Sequence, residues 1–171
     1  MQNALIEFYY QFHAKQHYFL CHDILEDAWK AQDQYAKDDL IVSLILFATG
    51  SYHYRRQNFH GAYRSYRKAG KIVENYSDEA IEALGLVPHA FRQQIQILVT
   101  ATKAEKPFQP IEILLTATIY QKLLTHYPSY KWYSAIVKTP SIMHHHRNRD
   151  RSDVIAAREM ALSKRQKNKK Y

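Results

Sequence analysis

His22, Glu26 and Trp29 lie four and seven residues apart in the stretch YFLCHDILEDAW, residues 18–29. On a helix that spacing lines up an imidazole, a carboxylate and an indole along one face. Further on, in YHYRRQNFHGAYRSYRKA, His53 and Arg56 stand three apart, again on one face. An imidazole and a carboxylate at i,i+4 can share a divalent metal, and a ligand such as His53 from a neighbouring helix would complete the set. The same pair can act as a general acid and base. Alternatively, the groups can satisfy one another by hydrogen bonding across a buried seam between two helices. Arg56 can take a carboxylate, either that of Glu26 or that of a ligand. Arg55 is expected to offset the exposed carbonyls at the end of its helix, with Asn58 beside it.

The chain contains no His-Glu-x-x-His, no cysteine pair, no glycine-rich phosphate loop and no Gly-x-Ser-x-Gly. No cofactor is therefore predicted. A divalent metal held by His22, Glu26 and His53 is the single candidate, and no catalytic residue is assigned. Cys21, the only cysteine, points about 100° away from His22 on a helix and reads as a small buried hydrophobe.

The elements that must position these residues are helices. Asn3 can cap a first helix with Leu5, Ile6, Phe8, Tyr9 and Phe12 inward. A second helix is predicted over 17–31, burying Phe19, Leu20, Ile24, Leu25 and Ala28. A third starts at Asp38 or Asp39 and reaches 58. Leu40–Phe47 makes it apolar nearly all round, so it belongs at the centre of the bundle. A fourth, over 59–75, turns Tyr63, Tyr66 and Ile72 inward and Arg64, Arg67, Lys68 and Lys71 outward, and Gly61 near its start admits another backbone. Ser77 caps a short helix that Gly85 ends, and Pro88 opens a fifth long helix to about 103, burying Phe91, Ile95, Leu98 and Val99. Residues 106–110 form a loop, 111–126 a helix, and Pro128 and Pro140 bracket an irregular aromatic stretch. A last helix is predicted over 152–170. The fold class is thus all-α: a multihelical bundle, 1–143, around a central apolar helix, with an appended basic C-terminal extension and helix, 144–171.

Charge sharpens that division. The net charge is +8, yet residues 144–171 hold nine Lys/Arg against three acids and carry +6 of it. Arg147, Arg149, Arg151, Arg158, Lys164 and Arg165 are candidate contacts to nucleic-acid phosphates. Tyr130, Trp132 and Tyr133 upstream can stack on bases. The same pattern also suits a solvated helix. His144, His145 and His146 read as an exposed polar linker. The longest apolar run is far short of the ~20 residues of a membrane span. With one cysteine and no apolar leader, the expectation is a cytoplasmic protein with no membrane partner.

The stretch 18–29 resembles the signature of a prokaryotic, including bacterial, family named only "domain of unknown function 309": aromatic residues, then His-acid-x-Leu-Glu-x-x-Trp. The likeness continues in Tyr52-His53, Asn58 and Gly61-Ala62, and covers 8–69. The block 149–155 looks like an extension of the Gram-positive branch. The resemblance implies a compact all-helical bundle and brings no activity. Asp23 stands where that family more often has Glu, which keeps the charge and shortens the reach.

The leading functional expectation is a non-enzymatic binding or interaction module. Its small-molecule or protein ligand would meet the seam of His22, Glu26, Trp29, His53, Arg56 and Asn58. The alternatives are a metal-assisted or acid–base hydrolase using His22 and Glu26, and nucleic-acid binding through the tail. A homo-oligomer is compatible with any of the three.

Overall fold

The computed structural model describes residues 1–143, which form an all-α multihelical bundle. The predicted helix at 152–170, the extension 144–171 and its candidate contacts, and His144–His146 lie outside the described residues. Helix α1 spans Gln2–Tyr10 and runs directly into a π-helical turn, Gln11–Lys15. Met1, not Asn3, occupies the cap position. Helix α2 spans Tyr18–Lys30, α3 Leu40–Arg55 and α4 Phe59–Val73; short α5, Asp78–Ala83, precedes α6, Pro88–Lys103. Helix α7 covers Ala117–His126 and α8 Pro140–Met143. Among the described residues no helix is long and apolar enough to cross a membrane.

The centre is α3. It packs between α2 and α4, and α4 packs in turn on α6. Leu44, Phe47 and Ala48 are fully enclosed, as an all-round apolar helix requires. Phe8, Tyr9, Phe12, Tyr18, Tyr66 and Phe91 close around them. Each such ring contributes roughly 1.5–3 kcal/mol by leaving water.

Several sequence expectations change. Helix α2 buries Tyr18, Cys21, Leu25 and Trp29, while Phe19, Leu20, Ile24 and Ala28 are only partly covered. His17 caps the helix, its Nδ1 accepting from the Leu20 N–H at 3.2 Å. From that start the seam at i, i+3, i+7 and i+11 faces the core. On α4 the buried face is Ala62, Ser65, Tyr66, Ala69, Gly70 and Val73; Tyr63 and Ile72 sit at its margins, half-buried. Gly61 makes room for a side chain instead of a backbone: a Cβ there would lie 2.7 Å from Asn58 Nδ2.

The predicted helix over 111–126 is extended in its first part. Ile111 and Ile113 are buried while Glu112 and Leu114 are exposed, a two-residue alternation that suits an extended segment. Val87 N–H donates to Leu114 O at 3.1 Å and Thr116 N–H to Gly85 O at 2.9 Å, so Leu86 and Leu115 form an isolated antiparallel bridge.

The π-turn holds the irregular aromatic segment against the body. His13 is buried, and Ile113 N–H donates to its Nε2 at 2.9 Å. The neutral ring must therefore carry its proton on Nδ1, which meets the Tyr130 hydroxyl. Next, Gln16 adopts the left-handed conformation, φ 52°. Its Nε2 donates to the carbonyls of Tyr133 and Ala135 at 2.9 and 2.7 Å, and its Oε1 accepts from Val137 N–H at 3.0 Å. Tyr130 is thus packed inside rather than presented for stacking on bases.

Cys21 is fully buried, with Sγ 3.6 Å from Phe8 O, and burial pushes its thiol pKa up. Native protein should show no reaction with Ellman's reagent on a timescale in which urea-unfolded protein reacts at once. A native thiol reacting as fast as the unfolded one would contradict this packing.

Candidate functional site

Two helices bring the predicted seam together. On α3 and at its C-cap, Thr49, Tyr52, His53 and Arg56 fall at i, i+3, i+4 and i+7 and share one face. On α2, Phe19 and His22 fall three apart and face them. With Asn58 these seven residues line an open cavity of about 300 Å³, at the small end for ligand pockets.

Its walls are aromatic. Phe19 stacks against His22 with centroids 5.7 Å apart, and meets Tyr52 edge-on at 5.2 Å. Tyr52 is almost fully buried, so it fixes the cavity floor. Arg56 lies over the Tyr52 ring, its guanidinium carbon 5.1 Å from the centroid, and donates through Nη1 to the Tyr52 hydroxyl. One of its five N–H groups is so engaged, and the others can take a carboxylate or phosphate.

Asn58 sets the state of His53. Its Oδ1 accepts from Gly61 N–H at 3.0 Å, which caps α4. Its Nδ2 then faces His53 Nδ1 at 3.1 Å. In the neutral ring Nδ1 is an acceptor and the proton sits on Nε2.

Of the lining residues, His22 has acidic neighbours that do not themselves line the cavity. His22 Nδ1 lies 3.1 Å from Asp23 Oδ1, and its Nε2 lies 3.9 Å from Glu26 Oε2. Glu26 also pairs with Lys30 at 2.9 Å. The three side chains can each place a ligand atom within 4.8 Å of the others. The metal-capable set is therefore His22, Asp23 and Glu26, with Asp23 standing where sequence reasoning put His53.

Two predicted members have other duties. Trp29 is buried and donates from Nε1 to Asp39 Oδ2 at 2.8 Å, the same oxygen that accepts from Ala36 N–H. It ties the loop before α3 to α2 and does not line the cavity. Arg56 turns to Tyr52 instead of Glu26, whose carboxylate Lys30 holds. Arg55, expected to offset the exposed carbonyls at the end of its helix, is buried and turns to another element: Nη1 donates to Gln16 O at 2.7 Å, and the guanidinium lies 4.8 Å from the Tyr18 ring centre. Phe19, Thr49 and Tyr52 were missed as lining residues. The i, i+3, i+4, i+7 spacing of 49, 52, 53 and 56 was the available signal.

Residues 5–65 match the family described as "Domain of unknown function (DUF309)". All seven cavity-lining residues fall inside that DUF309 match, as do the signature stretch 18–29 and Tyr52-His53. The chain is also 28% identical over 170 residues, 97% of each protein, to "Uncharacterized protein YpuF" of Bacillus subtilis (strain 168). No solved structure matches the chain.

Proposed function

We propose that this DUF309 domain is a non-enzymatic binding module whose ligand is a small anionic molecule seated between α2 and α3. The observation that carries the reading is the cavity itself, which gathers Arg56, His53 and His22 from two helices over aromatic walls. Its lining is chemically mixed. Arg56, His53 and Asn58 suit a carboxylate or phosphate, whereas His22, backed by Asp23 and Glu26, suits a hydrogen-bond donor. A ligand that carries both an anionic group and a donor satisfies both. The divalent-ion alternative rests on the convergence of His22, Asp23 and Glu26, and it would place a cation where the binding reading places a donor.

The test is saturation-transfer NMR with a set of small carboxylates and phosphates, with and without Mn²⁺. Native protein should give saturation transfer to at least one of them without metal. Thr49→Ile, which fills the cavity wall and leaves the charged residues in place, should lower that affinity by about tenfold or more, as steric exclusion worth ~1.4 kcal/mol requires. Equal binding by Thr49→Ile would contradict the site. Transfer that appears only with Mn²⁺ and vanishes in Glu26→Gln would favour the metal alternative.

A further inference from the structure

A second surface has a different chemistry. Along the outer side of α4, His60, Tyr63, Arg64, Arg67, Lys68 and Lys71 line a shallow groove of about 480 Å³. The four cations are exposed, and among the described residues none forms an ion pair with a carboxylate. Like charges three and four residues apart repel along a helix, so this run costs stability that an anionic partner would return. From Arg64 to Lys71 the stripe covers two turns, about 10 Å. With the reach of their long side chains added, four cations over that length can neutralise about three phosphates of a strand.

The groove's remaining lining is aromatic. Tyr63 and His60 also border the adjoining depression with Phe59, Thr102, Lys103 and Glu105. Flat rings therefore stand at the head of a cationic track. That combination recognises single strands: cations follow the backbone while bases stack on rings. The apolar side of α4 is packed into the bundle, so none is left to enter a bilayer as an interfacial helix does.

We propose that the outer face of α4 binds single-stranded nucleic acid, with Arg64, Arg67, Lys68 and Lys71 on phosphates and Tyr63, beside His60, as the base-stacking platform. This places nucleic-acid recognition on the bundle itself, whatever the basic tail adds, and it does not depend on the ligand cavity.

The experiment is fluorescence anisotropy of the full chain with fluorescein-labelled oligo(U). Raising salt fourfold should weaken binding about 20-fold, the response of about three neutralised phosphates. Replacing Arg64, Arg67, Lys68 and Lys71 together by Gln, at exposed positions where Gln keeps the helix, should remove most of that affinity and most of the salt dependence. Tyr63→Leu should weaken binding about tenfold with the salt dependence unchanged, and Tyr63→Phe should restore it. A tail variant with Lys164, Arg165, Lys167, Lys169 and Lys170 changed to Gln should retain the Tyr63 dependence. The proposal is overturned if the α4 quadruple variant, folded by circular dichroism, binds oligo(U) as native protein does. It is also overturned if phosphatidylserine vesicles bind in an α4-dependent way while oligo(U) does not.

Discussion

Acidification from pH 7 to about pH 4.5 should cost the fold about 3 kcal/mol through His13 alone. Burial among apolar neighbours lowers its pKa from 6.5 to about 3. In the unfolded chain the imidazole takes up a proton below pH 6.5, while the folded chain keeps it neutral until about pH 3. The unfolded state therefore binds more protons throughout that window, and stability falls as pH falls, by about 1.4 kcal/mol per unit. The contribution is fully present above pH 6.5. Both ring nitrogens are committed, Nε2 to Ile113 N–H and Nδ1 to the Tyr130 hydroxyl, so protonation also removes the acceptor that Ile113 needs. Urea unfolding followed by circular dichroism across this range reads the slope. His13→Gln should be less stable at pH 7 and distinctly flatter in its pH response. A variant as steep as the native chain would assign the acid sensitivity to carboxylates instead.

Gly85→Ala should destabilise by about 3 kcal/mol, the sum of a strained backbone and an overpacked contact. Gly85 has φ +86°, a conformation that L side chains rarely adopt, and a Cβ there would lie 2.7 Å from Ile119 Cβ. That atom is fixed to the α7 backbone, so no rotamer change relieves the clash. The alternative is for α7 to move, yet Gly85 is held in register by Thr116 N–H donating to its carbonyl. A double-mutant cycle with Ile119→Gly, which removes the Cβ together with both γ-carbons, separates the two terms. If the clash is real, the pair should cost well under the sum of the single changes; strict additivity would leave backbone strain as the whole effect.

How much of this was legible depended on whether the signal was local. Asp39 preceding the central helix, Ser77 at its cap and Pro88 at a helix start are local, and the structure places each where the sequence predicts it. So are the spacings that align His22 with Glu26 and His53 with Arg56. His13 could also have been found inside, because it continues the Ile6–Tyr9 stripe at helical spacing. Residues 111–116 failed for the opposite reason. Their extended state depends on Leu86 and Gly85, far away in sequence, and Ile-Glu-Ile alternation was the only local hint. Trp29 was misplaced because its partner Asp39 comes from a loop with no regular period. Arg55 and Gln16 were invisible because they meet across a π-turn, which sequence periodicity does not predict.

Binding of a small anion between α2 and α3 has a direct spectroscopic reading. It is tested most directly by selective ¹⁵N-histidine spectra during titration with whichever carboxylate or phosphate gives saturation transfer. The ring signals of His22 and His53 should move together and saturate with one affinity, His13 should stay fixed, and Thr49→Ile should shift the response to about tenfold higher ligand or beyond. Movement confined to His60 on α4, or unchanged rings at His22 and His53 under saturating ligand, would contradict it.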